Sequence, residues 1–364
     1  MSDLAHMRAA LGLARRGLGS VWPNPTVGCV LVKDGAVVGR GWTQPGGRPH
    51  GETEALQRAG GAARGATAYV NLEPCNHWGK TPPCTEALIA AGVSRVVVPV
   101  EDPDPRVSGR GVARLRDAGI EVTMGIEAEA ATALNEGFFR RIQEGRPLVT
   151  LKLATTLDGR IATAEGESRW ITGERARDRA HLLRARHDAV MVGSNTVLAD
   201  DPELTCRLPG LADRSPVRII VDGRLRVPLT AKVVAEAQRV PTWFITLKGD
   251  APARHRAFRD CGVELIEVRA DGETVDLGQA MHELGKRGLT RVLVEGGATL
   301  AAALLRADLV DRVDWFRAPS LIGGDGIPAV TAFGIATLAA APRFERIAAE
   351  PLGADLLESF RRPR

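Results

Sequence analysis

Residues 49–56 read PHGETEAL and residues 71–84 read NLEPCNHWGKTPPC. Together they offer one imidazole, His50, and two thiols, Cys75 and Cys84. Three such ligands suit a zinc ion and leave its fourth tetrahedral position open for a water, which separates a catalytic zinc from a closed structural one. Glu52 follows His50 by two residues and is not needed as a ligand, so it is the candidate proton carrier. The surroundings set the fold class. GETEALQRAG (51–60) has helical character, which puts His50 at a helix N-terminus and Glu52 on its first turn, where the helix dipole favours negative charge. ATAYVNLEPC (66–75) reads as a strand running out to Cys75, with Ala68, Val70 and Leu72 alternating. PCTEALIAAG (83–92) reads as a helix opening at Cys84. Strand, ligand loop and helix in that order predict an α/β layer.

The preceding segment supports this. Residues 3–17 carry Leu4, Met7, Ala10, Leu11 and Ala14 at helical spacing. In VWPNPTVGCVLVKDGAVVGRGW (21–42), Val27–Val32 and Ala36–Gly41 predict a hairpin turning at Lys33-Asp34-Gly35. Asn24 lies between two prolines that restrict its backbone. It either presents its amide to a ligand or caps a turn. VSRVVVPV (93–100) and GVARLRDAGIEV (111–122) add strand, helix and strand, so β and α alternate to about residue 125.

The chain has 364 residues, enough for two domains at roughly 100–200 residues each. A helical stretch at 127–146 ends in Gly145-Arg146-Pro147, which places the boundary there: a first domain at 1–146 and a second at 147–364. Hydrophobic residues make up 44% and charged residues 25%, both globular values. The net charge of +4 comes without a basic block, so neither nucleic-acid nor membrane binding is expected. Five scattered cysteines do not form a disulfide framework and suit a reducing compartment. No apolar run approaches the roughly 18 residues of a membrane span, and a cytoplasmic protein is expected.

In the second half, LKLATTLDGRIA (151–162) reads as strand, Asp-Gly turn and strand. ERARDRAHLLRARHD (174–188) is a helix with Arg177, His181 and Arg184 near one face, and DAVMVGSNTVLADDPELTCR (188–207) a strand followed by a polar turn. RVLVEGGATLAAALLRADLV (291–310) is an apolar strand, a Gly-Gly turn and a helix. Backbone N–H groups at such a helix start suit a diphosphate, although a plain tight turn has the same text. The pattern predicts a second α/β domain with its own sheet.

The chemistry follows from the ligands. Zinc brings the pKa of a bound water toward neutrality. Glu52 would take that proton and deliver it to a ring nitrogen and then to departing ammonia, so the target is an amino-substituted carbon beside a nitrogen in a heterocycle. A spacing of two residues between the cysteines is usual in zinc deaminases of nucleic-acid bases. Here eight residues separate Cys75 from Cys84, aromatics are 4%, and there is no basic cluster, which argues against a nucleic-acid substrate.

PNPTVGCVLV, PHGETEAL and EPCNHWGKTPPC together resemble the deaminase half of the bifunctional riboflavin-biosynthesis deaminase–reductase family, in which the longer cysteine loop helps to hold a phosphoribosyl substrate. KLATTLDGRIA, SRWITG, VGSNTVLADDPELTCR and VEGG resemble the reductase half along nearly the whole second domain. The resemblance implies a cytidine-deaminase-like α/β/α domain followed by a dihydrofolate-reductase-like α/β domain, with Zn2+ and NADPH as cofactors, a phosphoribosylated pyrimidine as substrate, and a homo-oligomer, dimer or tetramer.

Residue by residue, it makes Asn24 and Lys80 substrate contacts in the first domain; a solvated surface lysine is the other reading of Lys80. In the second domain Ala154, Trp170, Thr196, Asp200 and Gly223 fall beside the cofactor. Gly297, Ala298, Thr299, Leu300, Ala301, Ala302 and Ala303 receive its phosphates, and Ser168, Arg184, Leu204, Arg207 and Glu295 surround the substrate. Arg184 and Arg207 offer planar forks for a phosphate, Trp170 a flat face for a ring, and Glu295 an acceptor. Lys152 and Asp200 are candidates for the proton donor in the reduction, with a structural ion pair as the alternative for Lys152. Departures from the family text fall at Gly51 and Glu54, at Thr43 where a His often stands, and at Gly223 in place of a small hydroxyl residue.

Overall fold

A computed structural model describes residues 2–79, 81–249 and 251–363. The chain divides into two compact units, Met1–Gly145 and Arg146–Arg364.

The first unit contains helices α1 (Asp3–Ala14), α2 (Gly51–Ala59), α3 (Cys84–Ala90), α4 (Arg110–Asp117), α5 (Ala128–Leu134) and α6 (Glu136–Glu144). Its strands are β1 (Gly28–Lys33), β2 (Ala36–Trp42), β3 (Thr67–Val70), β4 (Arg95–Val98) and β5 (Glu121–Met124), in the order β2-β1-β3-β4-β5. The predicted hairpin is β1 and β2, antiparallel, turning through Asp34 (φ 50°) and Gly35 (φ 77°). β3, β4 and β5 run parallel. The continuous run to Cys75 is shorter than expected: β3 ends at Val70, and residues 71–75 leave the ladder to carry the cysteine outward.

The hairpin is thin where α2 crosses it. A Cβ on Gly39 would collide with the carbonyl of Ala55, and one on Gly41 with the carbonyl of Gly51. Helix backbone therefore rests on strand backbone, which fixes the height of the α2 N-terminus. The proline-flanked segment before β1 cannot complete the ladder by itself, and side-chain amides replace the missing partners. Asn135 accepts from the Thr26 N–H (2.9 Å), Asn71 accepts from the Gly28 N–H (2.7 Å), and both amides donate to the Thr26 carbonyl.

The second unit has helices α7 (Glu174–Ala185), α8 (Ser194–Asp200), α9 (Lys232–Ala235), α10 (Pro252–Asp260), α11 (Leu277–Lys286) and α12 (Ala298–Arg306). The strands of its nine-stranded sheet are β6 (Leu148–Thr155), β8 (Ala189–Gly193), β9 (Val217–Val221), β10 (Thr242–Leu247), β11 (Glu264–Val268), β14 (Arg291–Glu295), β15 (Arg312–Arg317), β17 (Glu345–Leu352) and β18 (Asp355–Arg361). Short strands β7 (Arg160–Ala162), β12 (Ala270–Asp271), β13 (Thr274–Val275) and β16 (Ile327–Pro328) complete the set. The order is β11-β10-β9-β8-β14-β6-β15-β18-β17, parallel from β11 to β15 and antiparallel at β18 and β17.

Two local expectations differ. After the Asp-Gly turn, β7 pairs with β16 rather than folding back on β6. Asp158 in that turn accepts from the N–H groups of Ile322 and Gly323, tying it to the segment before β16. The polar stretch after β8 is helix α8 rather than a turn. Among the described residues no helix is long and apolar enough to cross a membrane.

Candidate active sites

His50 is the N-cap of α2, Cys84 opens α3 behind Pro83, and Cys75 lies on the loop after β3. Residues far apart in the sequence thus meet at two helix starts and one strand exit. Nδ1 of His50 is 3.3 Å from Sγ of Cys84 and 3.6 Å from Sγ of Cys75, and the three donor atoms lie within 4.8 Å of one another. Tetrahedral zinc with bonds of about 2.0–2.3 Å puts an imidazole nitrogen and a thiolate about 3.5 Å apart, so this donor set fits the ion. The Cys84 thiol, donating to Cys75, holds the latter well below its ordinary range, at about 4, and a thiolate is the form that ligates.

Glu52 is 2% exposed, and its Oε2 has no hydrogen-bond partner. Burial pushes its carboxyl upward. A buried carboxylate oxygen without a partner costs stability, and its place beside the ligand trio suits a proton acceptor for something that enters the site.

Asn24 donates to the Gly47 carbonyl (3.0 Å), and Gly47 (φ 84°) has no room for a Cβ beside that amide. Lys80 lies outside the described residues. The departures from the family text take packing roles. Thr43 is buried and its hydroxyl accepts from the Val27 N–H (3.0 Å). A Cβ on Gly51 would stand 2.6 Å from the Val27 carbonyl. Glu54 pairs with Arg58 one turn on (2.8 Å). Glu73 escaped the sequence reading. Its buried carboxylate accepts from the N–H groups of Asp102 (3.0 Å), Gly109 (2.9 Å) and Val112 (3.0 Å), and so anchors the strand exit that carries Cys75.

In the second unit a cavity of about 880 Å³ opens along the C-terminal ends of β6, β14, β8 and β9. Ala154, Thr196, Asp200, Gly223, Gly297, Ala298, Thr299, Leu300, Ala301 and Ala303 all line it, as do Ser168 and Lys152. Ala302 is buried and does not line it. Gly296 (φ 85°) and Gly297 (φ 88°) take left-handed conformations that bare the N–H groups at the start of α12. A dinucleotide fits this combination of an elongated cleft and a side-chain-free helix start. Trp170 is 69% exposed, flanked by the guanidinium groups of Arg177 and Arg169, and is not among the lining residues.

Beside the cavity lies a buried charge cluster. Lys152 and Glu295 face each other in register on β6 and β14, 3.9 Å apart. The fork of Arg184 closes on Glu295 at 2.6 and 3.0 Å and reaches the Thr205 carbonyl (2.9 Å). Its guanidinium is therefore turned onto a protein carboxylate rather than left open as a phosphate fork. Burial alone would raise Glu295, but Arg184 and Lys152 hold it at about 2. Burial also lowers Lys152. Leu204 is buried with φ 57°. Arg207 donates through its backbone N–H to His181 (3.3 Å) and keeps its side chain near Glu203 (3.6 Å) with about half its surface exposed.

Comparison with known proteins finds matches for both domains. Residues 1–100 match the cytidine and deoxycytidylate deaminase zinc-binding region, and residues 147–357 match the RibD C-terminal domain. The riboflavin biosynthesis protein RibD of Escherichia coli is 45% identical over 95% of each chain. The solved Acinetobacter baumannii RibD is 40% identical and superposes with a TM-score of 0.89 over 100% of this chain and 99% of that one. A Thermotoga maritima structure described as a diaminohydroxyphosphoribosylaminopyrimidine deaminase and 5-amino-6-(5-phosphoribosylamino)uracil reductase is 35% identical, with a TM-score of 0.86 over 99% of both chains. A zinc-binding deaminase domain and an NADPH-dependent reductase domain on one chain, alike in sequence and fold over nearly the whole length, make this protein a member of the RibD family of bifunctional riboflavin biosynthesis enzymes.

Proposed function

We propose that the protein catalyses two consecutive reactions: hydrolytic deamination of 2,5-diamino-6-(5-phosphoribosylamino)pyrimidin-4(3H)-one, then NADPH reduction of the ribosyl group of 5-amino-6-(5-phosphoribosylamino)uracil to ribityl. The observation that carries the first step is the partnerless Oε2 of buried Glu52 beside the His50, Cys75 and Cys84 donor set. These three residues would hold zinc, which when bound supplies Lewis acidity that lowers the pKa of water toward neutrality. Glu52 accepts one proton from the attacking water and delivers it to the ring nitrogen, then takes the proton of the newly added hydroxyl and delivers it to the amino group, which leaves as ammonia. The buried setting that raises its carboxyl pKa suits both halves of that exchange. Asn24, fixed by Gly47, orients the pyrimidine or its ribose, and Lys80 contacts the phosphate.

In the second domain NADPH, when bound, supplies the hydride. The segment Gly297–Ala303 receives its diphosphate at the N–H groups that open α12, while Ala154, Thr196, Asp200 and Gly223, which line the cavity, flank the rest, with the exposed Trp170 outside that lining. Ser168, Leu204 and Arg207 hold the substrate; Arg184 and Glu295 frame that side of the site as a locked pair. Lys152 lines the cavity, and burial lowers its ammonium pKa, which makes it the better-placed proton donor to the reduced sugar; Asp200 is the second candidate. We place the domain boundary at residue 146. The five free thiols suit a reducing cytoplasm, and we take the working enzyme to be a homo-oligomer, dimer or tetramer.

The test is purified, zinc-loaded protein given the diaminopyrimidine ribosyl phosphate with and without NADPH. Ammonia is released in both cases, and NADPH is consumed only after deamination. Zinc-loaded protein that releases no ammonia sinks the first assignment, and no NADPH oxidation with authentic deaminated intermediate sinks the second. Light scattering after gel filtration checks the assembly: a monomer overturns that part.

A further inference from the structure

The cavity crosses the ends of four neighbouring parallel strands, β6, β14, β8 and β9, a span of roughly 14 Å at about 4.8 Å per strand. Resting on the proposed NADPH reading, the diphosphate lies at the start of α12 after β14, and the hydride-donating end points to β6, where Lys152, the proposed proton donor, lines the cavity. An extended dinucleotide must then carry its adenosine toward β8 and β9. There the chain turns at Asp222–Leu225, closed by the Leu225 N–H donating to the Asp222 carbonyl (3.1 Å). Leu225 and Val227 are buried, and the Val227 N–H donates to the Asp222 carboxylate (2.8 Å). Burying alternate residues turns Arg224 and Arg226 outward, and both line the cavity.

Arg226 is anchored at α8. Its Nη2 donates to Ser194 Oγ (2.7 Å) and to Asn195 Oδ1 (2.8 Å) at the start of α8. Among the described residues neither arginine has a carboxylate in an ion pair, whereas the remaining cavity cation, Lys152, faces Glu295. The acidic lining groups are Asp200, Asp222 and Glu273, of which Asp222 already serves the turn. A side chain at Gly223 has little space, because a Cβ would lie 3.3 Å from Val275 and 3.4 Å from Leu247. Glycine there supplies none of the hydroxyl usual in the family, and anion recognition passes to the neighbouring guanidinium. We infer that Arg226, held by Ser194 and Asn195, binds the 2′-phosphate of NADPH and sets the preference for NADPH over NADH. A planar fork with one nitrogen anchored and the others open is suited to a dianionic phosphate.

The test is direct fluorescence titration of NADPH and of NADH against the full-length protein, Arg226→Gln and Arg224→Gln, with a thermal melt of each. Arg226→Gln is expected to weaken NADPH about 10- to 100-fold and NADH less than twofold, with an unchanged melt. Arg226→Lys is expected to retain part of the preference. Unchanged NADPH affinity, equal weakening of both dinucleotides, or a loss carried by Arg224→Gln instead overturns the assignment. If the unaltered protein binds neither dinucleotide, the NADPH reading itself fails and this inference with it; if it binds NADPH tightly and Arg226→Gln binds it equally well, only the inference fails.

Discussion

The zinc donor set and the reductase cleft are built on opposite principles. In the first domain, chemistry resides in a few side chains, and backbone contact serves to hold them: α2 rests on Gly39 and Gly41, and Glu73 ties down the exit from β3. In the second, glycines and alanines at the ends of parallel strands and at the start of α12 contribute to the cavity lining, and side chains form a locked charge cluster beside it. A side-chain site tolerates no substitution of its few members. A backbone site tolerates many, provided the sheet edge keeps its shape. The two halves should therefore fail in different ways.

The sharpest separation is expected from the first domain. Cys75→Ala should lose zinc, measured by metal analysis, and with it all detectable ammonia release, while reduction of the deaminated intermediate continues. Glu52→Gln should keep its zinc and slow ammonia release by about 10²–10⁴-fold. Equal loss of reduction in either variant would break the contrast. Next in size is Arg184→Ala, which leaves Glu295 buried without its main partner. A loss of about 3–5 kcal/mol in the stability of the second domain is expected, read by denaturant unfolding, with ammonia release retained.

Gly41→Val forces α2 off the hairpin. It should cost the first domain about 1–3 kcal/mol and weaken zinc binding, without affecting NADPH oxidation. A pH effect belongs to the second domain. His187 is buried between the Leu183 carbonyl and the Thr150 hydroxyl, and burial lowers it from 6.5 to about 3. The unfolded chain takes up its proton first on acidification, so this stability is fully present above pH 6.5 and is lost as pH falls toward 3. By pH 5 the loss is about 2 kcal/mol, and the gap between His187→Asn and the unaltered protein should narrow by that amount. The smallest effect is Thr43→Val, which removes the acceptor for one buried N–H and should cost about 1 kcal/mol without abolishing ammonia release.

This contrast also explains what the amino-acid sequence discloses. His50, Glu52, Cys75 and Cys84 stand out because few residue types can do their work, and the structure brings them together. Glu73 is as buried as Glu52 but reads as one more acid, because its carboxylate oxygens engage N–H groups 29 to 39 residues away. Helix α8 was hidden because Ser, Asn and Asp favour turns locally, while its packing beside β8 decides otherwise. Arg184 looked like an open phosphate fork because its partner, Glu295, lies 111 residues on. The hairpin and the Gly-Gly turn were readable from local chemistry alone.

At Gly39 and Gly41 the carbonyls of α2 lie against β2 backbone, and neither glycine has a side chain to change size. Substitutions elsewhere in a hydrophobic core ordinarily shift neighbouring layers by fractions of an ångström, and a metal centre mounted on such layers drifts with them. A seat of carbonyl against glycine has no adjustable volume. The height of His50 and Glu52 over the hairpin is thereby less exposed to changes in core composition than the positions of Cys75 and Cys84, which ride on the exit from β3 and on α3. Redesign of the first domain for heat stability should leave the two glycines beneath the helix and the buried Glu73 untouched.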